Sequence, residues 1–324
     1  MLSHPQLKIW LFIQQCLTQQ KSCALLYVLE SKGSSPGRQG FCMSINEHNE
    51  MVGSIGGGMM EHKLVELAKE QINKAATLLN GTIKKQIHRK GAEKQQSGMI
   101  CSGEQTVFIY VLQQSDLQTI QSIINCLKEH KHGLLTIDMN GIDFTETVVE
   151  FDFQLHMLNE LAWHYKERVG YKNQLYVIGG GHCSLAFCKL MSSMDFYIHL
   201  FEDRKELNTF LENDFVHEKT VVTDYSALQT LIPSGKTHYV VIMTFGYRTD
   251  DIALKALINK NVAYLGVLGS KSKINKMFEA YQHQTMDNAL LQSIYAPIGL
   301  PIHSKTPEEI AISIAAEIIQ VKNA

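Results

Sequence analysis

From residue 173 onward the sequence alternates short apolar runs with amphipathic stretches, a regularity that restricts the chain to few architectures. "QLYVIGG", "FYIHLF", "KTVVTD", "HYVVIMT" and "VAYLGVLG" read as strands, and "HCSLAFCKLMSSM", "KELNTFLEN", "DDIALKALINK" and "KINKMFEAY" as helices placed among them. Strands apolar on both faces need cover on both faces, so the pattern predicts a doubly wound, Rossmann-like parallel α/β sheet over 173–324. A last helix begins in "TPEEIAISIAAEIIQ", where Thr306 caps, Pro307 suits the first helical position and Glu309 completes a capping box.

Residues 1–150 lack that alternation and read as an α+β domain. "CALLYVLE", "FCMSI", "QTVFIYVL" and "GLLTIDM" have strand length, and the polar "NEHNE" before "MV" suggests a hairpin. Helices are expected from about Pro5, over 60–79 and over 117–130, where apolar residues recur at helical spacing. Residues 151–172 read as a connecting segment, partly helical. A chain of 324 residues with 45% hydrophobic residues is long enough for two separate cores.

Thirty basic and thirty-two acidic residues leave a formal charge of -2, so no global field favours nucleic acid or an anionic membrane, and neither is expected as a partner. No run approaches the roughly 20 apolar residues of a membrane span, and the N-terminus lacks a basic leader and a small-residue cleavage site. Seven cysteines, without a C-x-x-C pair, argue against a disulfide framework and a zinc site. A cytoplasmic location and no metal site are expected. Among fourteen histidines there is no H-E-x-x-H, and His130 and His132 sit in a polar turn.

Three places offer chemistry. In "VIGGGHCS", Gly179 and Gly181 take the first two positions of a G-x-G-x-x-G turn, where backbone can approach a pyrophosphate; Ser184 takes the third. Glu202 in "FEDR", with Asp203 as alternative, is placed to accept from a ribose hydroxyl. Thr244, Tyr247, Arg248, Ser270 and Lys271 follow later strands and could gather at the same crevice, which suits NAD(P) or another nucleotide. In the first half, "GSIGGG" (Gly53, Ser54, Gly56, Gly57, Gly58) precedes a helix whose first amides favour an anion, and "GSSPGRQG" offers Gly33, Ser34, Ser35 and Arg38. If the flanking strands pair, both loops could reach one pocket, with Arg38 bonding a phosphate or carboxylate. Cys101 in "MICSGEQ" is the third candidate, although most such cysteines are buried and inert.

Taken in order, "GSSPGRQG", "GSIGGGMME", "CSGE", "GGGHCS", "GSKSK" and "PIGLPIHSKTPEEIAISIAAEI" resemble the xanthine dehydrogenase accessory factor family, XdhC/CoxI, over nearly the full chain. The resemblance implies a protein that binds molybdenum cofactor (molybdopterin), assists exchange of an oxo for a sulfido ligand with a cysteine desulfurase, and delivers the cofactor to an apo molybdenum hydroxylase. It implies a maturation factor without independent turnover. It assigns the cofactor to Gly33, Ser34, Ser35, Arg38, Gly53, Ser54, Gly56, Gly57, Gly58 and Glu61, with Cys101 near a metal–sulfur centre.

Two departures stand out. The family commonly reads G-C-x-E where this chain has Gly58, Met59, Met60 and Glu61, and T-H-x-H-x-x-D where it has Thr244, Phe245, Gly246, Tyr247, Arg248, Thr249 and Asp250. A thiol and two imidazoles are thereby absent. The alternatives are an NAD(P)-dependent oxidoreductase using Gly179, Gly181 and Glu202, for which no hydride-transfer dyad is visible, and a regulatory paralogue. Apolar residues in the first and last helices permit a homodimer.

Overall fold

The computed structural model describes residues 4–74, 81–87, 103–283 and 288–324. The chain divides into two compact units, one ending at Gly170 and the other running from Tyr171 to Ala324.

The first unit is α+β. Strands β1 (Cys23–Gly33), β2 (Cys42–Asn46), β3 (Met51–Gly53), β4 (Thr82–Ile87) and β5 (Gly103–Val111) form a sheet of order β3-β2-β1-β5-β4, antiparallel at every pairing. The run at the start of β1 is continuously apolar because both faces are covered. Leu25, Tyr27 and Leu29 join a core with α1 (Leu7–Thr18) and α3 (Leu117–Lys128), whereas Ala24, Leu26 and Val28 join another with α2 (Gly58–Asn73). Each fully buried Leu or Ile here is worth about 1.5–3 kcal/mol against exposure. The part of the expected 60–79 helix beyond Lys74 lies outside the described residues.

The partly helical connection expected at 151–172 is instead two strands, β8 (Phe153–Asn159) and β9 (Ala162–Val169). With β6 (Gly133–Asp138) and β7 (Gly141–Thr145) they make an antiparallel sheet of order β7-β6-β9-β8. The reason is visible in β9, where Trp163, Tyr165, Glu167 and Val169 are buried in strict alternation. That is the period of a strand, disguised in the sequence because one inward residue is a carboxylate. Glu167 is accommodated by accepting from the Tyr27 and Tyr165 hydroxyls at 2.5 and 2.8 Å.

The second unit is the expected Rossmann-like α/β layer. Strands β10 (Asn173–Ile178), β11 (Phe196–Glu202), β12 (Glu218–Val221), β13 (Gly235–Ile242) and β14 (Val262–Val267) pair in parallel, in the order β12-β11-β10-β13-β14. Helices α4 (His182–Met191), α5 (Asn208–Leu211), α6 (Leu228–Leu231), α7 (Tyr247–Leu257), α8 (Lys271–His283), α9 (Asn288–Gln292) and α10 (Pro307–Lys322) complete it. Leu175 and Val177 of β10 share a core with α4 and α10, while Tyr176 and Ile178 share one with α7 and α8. The capping box of α10 forms as read, with Thr306 accepting from the Glu309 amide. The strand order reverses between β10 and β13, so a crevice opens beyond their C-terminal ends. Among the described residues, no helix is long and apolar enough to cross a membrane.

Candidate functional site

In the first unit the two glycine-rich loops meet. Because β1, β2 and β3 are neighbours, the β1–β2 loop and the β3–α2 loop leave the same region of the sheet. A Cβ on Gly56 (φ +125°) would lie 2.4 Å from the Gly37 nitrogen, and one on Gly37 would lie 2.0 Å from the Ile55 carbonyl oxygen. Only hydrogen fits between the loops. Gln105 of β5, fully buried, ties them together: its side-chain amide donates to the Ile55 carbonyl at 2.9 Å and its oxygen accepts from the Ser35 hydroxyl at 3.3 Å. Sequence reasoning missed this residue, although a glutamine heading an apolar strand was the available signal. Gly103 contributes another close approach, since a Cβ there would meet the Ser35 nitrogen at 2.6 Å.

Glu61, in the first turn of α2, reaches back into the second loop. One of its carboxylate oxygens accepts from the Ser54 hydroxyl (2.7 Å), the Ile55 amide (2.9 Å) and the Gly57 amide (3.0 Å). The Ser54 oxygen in turn accepts from the Gly56 amide at 3.1 Å. Three donors therefore converge on one anionic oxygen, as in a backbone nest. The amides that the sequence offers to an external anion are serving a tethered one.

The rest of the loop surface is open. Arg38 is exposed and, among the described residues, its side chain is anchored by a 3.3 Å bond to the Gly33 carbonyl; Ser34 and Gly58 are exposed as well. Among the described residues nothing lies within 4 Å of a Cβ built on Gly57, the N-cap of α2, and no side chain caps it; its φ of +75° still favours glycine. Met59, where the family places a cysteine, is 57% exposed. Gly53 (φ +91°) is structural, pressed against the Cys42 carbonyl oxygen at 2.4 Å. Cys101 lies outside the described residues.

In the second unit the glycine turn sits at the strand-order reversal. Gly179 (φ +104°) has the Met243 carbonyl oxygen 2.5 Å from its Cβ position, which ties the ends of β10 and β13 together. Gly181 is different. As the N-cap of α4 it has φ −74° and ψ −174°, accessible to any residue, and among the described residues nothing lies within 4 Å of its Cβ position. Gly246, the N-cap of α7 at the end of β13, is likewise extended and open. Neither strain nor internal packing requires glycine at these two places; both leave room for something approaching from outside.

Glu202 ends β11 with no exposed surface. It accepts from the Gly180 amide at 2.5 Å, from the Arg204 amide at 3.1 Å and from the Arg204 guanidinium at 2.7 and 3.2 Å. Burial pushes its pKa up, but the Arg204 guanidinium and the other hydrogen bonds outweigh burial and hold it below the usual carboxylate value. Asp203 beside it is pushed up by burial and by Glu202. The Arg204 guanidinium also lies 5.3 Å over the ring of Phe245, which is 86% exposed.

Thr244 works inside the protein: its hydroxyl and amide bond to Asp250 at 2.6 and 3.0 Å, and its hydroxyl meets that of Thr249 at 2.6 Å. Asp250, fully buried, is paired with Lys273, which also donates to the Leu268 carbonyl at 3.1 Å. Ser270 caps α8 by accepting from the Lys273 amide at 3.2 Å. Ser270, Lys271 and Arg248 are exposed. The sequence-predicted residues thus form two sets, Gly33 to Glu61 in one unit and Gly179 to Ser270 in the other.

The two sets correspond to two domain patterns. The XdhC and CoxI family profile matches residues 16–80, and the XdhC Rossmann domain profile matches residues 175–318. The chain belongs to the XdhC/CoxI family of xanthine dehydrogenase accessory factors. Among its relatives, the Escherichia coli (strain K12) protein YqeB is 25% identical over 320 residues; the match covers 97% of this chain but 46% of YqeB, so the chain spans about half the length of that relative. A Bacillus subtilis (strain 168) protein, named as a probable xanthine dehydrogenase subunit, is 21% identical, with 94% and 95% of the two chains covered. A Bacillus halodurans crystal structure described as a xanthine dehydrogenase superposes with a TM-score of 0.71 at 21% identity, covering 97% of this chain and 96% of the other. That likeness establishes the fold.

Proposed function

We propose that this XdhC/CoxI protein binds molybdenum cofactor through the paired loops of its first unit, and that it assists sulfuration of the cofactor and its insertion into a xanthine dehydrogenase-type molybdenum hydroxylase. The observation that carries the reading is the convergence of the Ser54 hydroxyl and the Ile55 and Gly57 amides on one carboxylate oxygen. A site that holds an anionic oxygen of Glu61 has the donors for an oxygen of the cofactor's terminal phosphate. The uncapped start of α2, the open face of Gly57 and the exposed Arg38 would hold that phosphate, and the Ser34–Ser35 loop would bond the polar ring edge. Bound there, the group supplies the chemistry of its molybdenum centre. Met59 stands where the family thiol would be, and on this reading the chain's part is binding and orientation of the cofactor rather than independent turnover. The apo hydroxylase and a cysteine desulfurase are the partners this reading requires.

The test is mass spectrometry of ligand copurified with the protein from a molybdate-replete host, paired with coexpression alongside a molybdenum hydroxylase. Copurified molybdopterin and a raised sulfido-cofactor content in the hydroxylase are expected. An empty protein together with unchanged sulfido content would overturn the reading.

A second reading concerns the second unit, where open glycines at both ends of the strand-order reversal favour a nucleotide in the crevice between β10 and β13.

A further inference from the structure

We infer that Arg204 is an internal competitor in the crevice of the second unit: its guanidinium occupies the carboxylate of Glu202 that would otherwise receive a ribose diol, and the crevice selects nucleotides with an unphosphorylated ribose, the NAD(H) class. This inference rests on the nucleotide reading of that crevice.

In a doubly wound sheet the carboxylate ending the second strand accepts from the ribose hydroxyls of a dinucleotide whose pyrophosphate lies on the glycine turn. Here the second strand is β11, and its terminal carboxylate is Glu202. Glu202 also accepts from the Gly180 amide, so its position relative to the turn is fixed. Both of its oxygens are taken by Arg204, through Nε at 2.7 Å and Nη2 at 3.2 Å, and no surface of Glu202 remains exposed. The guanidinium covering it is not buried in turn: its side chain is 41% exposed, and its Nη1 has no hydrogen-bond partner among the described residues. It lies 5.3 Å over the ring of Phe245, an exposed residue at the end of β13. Arg204 therefore joins the ends of β11 and β13, on either side of β10 and its glycine turn, while Gly181 and Gly246 keep the space before α4 and α7 free.

An arginine can serve such a crevice in two ways. It can bind a 2′-phosphate, or it can stand in for the hydroxyl donors that a diol would bring. The surrounding charge decides. Asp203 approaches the same guanidinium at 3.7 Å and is itself 30% exposed, so two carboxylates face one cation and the charge of Arg204 is already matched before a 2′-phosphate arrives. A diol suits it, because two hydroxyl donors replace the guanidinium donors on Glu202 once Arg204 swings outward. Binding then waits on a minor conformation, and the apparent affinity falls by the fraction of molecules in which Arg204 is displaced.

Titration of the full-length protein and of Arg204→Ala with NADH and with NADPH, followed by nicotinamide fluorescence, tests this. NADH should bind the wild type weakly and Arg204→Ala about tenfold more tightly, with NADPH weaker than NADH in both. Arg204→Lys keeps the charge but loses the planar fork, and should tighten NADH by a smaller factor, about threefold; it replaces Arg204→Ala in the test if that variant does not fold. Unchanged NADH affinity in the variants, or a wild type that prefers NADPH and loses that preference with Arg204, would overturn the inference while leaving a nucleotide in the crevice. Absence of binding by either nucleotide to wild type and variants alike would remove the nucleotide reading and the inference with it.

Discussion

Both units present a glycine turn beside the first turn of a helix and both turns hold a carboxylate, yet the donors that close on it differ. In the first unit three donors close on the Glu61 carboxylate; in the second, the Glu202 carboxylate is closed off by a guanidinium. On the readings proposed above, the first arrangement would receive an external anion and the second the hydroxyl donors of a ribose. Similar spacing of glycine in the sequence thus supports different ligand chemistry, and the neighbouring charged side chain marks which is which.

The largest effects should come from forcing a side chain into the close approaches. Gly56→Val would set a branched side chain against the Gly37 nitrogen at a left-handed φ, and Gly179→Val would do the same against Met243; each should lower stability by about 3 kcal/mol or more in denaturant unfolding. Tolerance of Gly56→Val with a loss below about 1 kcal/mol would separate the loops and end the parallel between the units.

Removing Arg204 comes next. Arg204→Ala leaves the buried Glu202 with the Gly180 and Arg204 backbone amides alone, and should cost about 1–3 kcal/mol, less than a fully buried pair because the arginine is partly exposed. The accompanying pH dependence has a definite sign. Glu202 is held below its ordinary value of 4.5, so the folded state favours its ionised form; the stabilisation is complete above that ordinary value and is lost as pH falls through the lowered one. Asp203, pushed upward, acts in the opposite direction. Acid unfolding followed by circular dichroism should therefore shift when Glu202→Gln is introduced.

Glu61→Gln sharpens the comparison from the other side. The neutral amide keeps an oxygen for the Ser54 and Gly57 donors but withdraws the charge that competes with an external anion, so inorganic phosphate should bind the variant several-fold more tightly in calorimetry. Smallest of all is the pair Gly181→Ala and Gly246→Ala. Both positions are extended and open, so stability should change by less than about 0.5 kcal/mol, whereas Gly57→Ala at φ +75° should cost about 1 kcal/mol. If Gly181→Ala also leaves NADH binding by Arg204→Ala untouched, the crevice does not seat a ligand at α4.

Much of the fold was legible because the periodicity is plain where cover is symmetrical. The parallel sheet, its helices and the cap at Thr306 follow from apolar runs and one capping box. In the sequence β9 reads as part of a helical link because Glu167, an inward residue, interrupts the apolar alternation, and its tyrosine partners from β1 and β9 help explain why it is tolerated. At the candidate site, the meeting of the two loops followed from neighbouring strands. The occupancy of the nest by Glu61 did not, since a side chain in the first turn of α2 can point outward or back to its own loop with equal sequence cost. The roles of Gln105 and Arg204 were hard to read for a related reason: Gln105 acts on Ile55 and Ser35, far away in sequence, and Arg204 links its neighbour Glu202 to Phe245 at the end of another strand.

The central claim is that the paired loops of the first unit grip an anionic cofactor. Anaerobic titration of the full-length protein with molybdopterin, followed by its absorbance and repeated with the double variant Arg38→Ala and Gly57→Val, tests it most directly. Binding by the wild type and an affinity at least about tenfold weaker in the variant are expected. Equal affinity in the two proteins, with the variant folded, would contradict it.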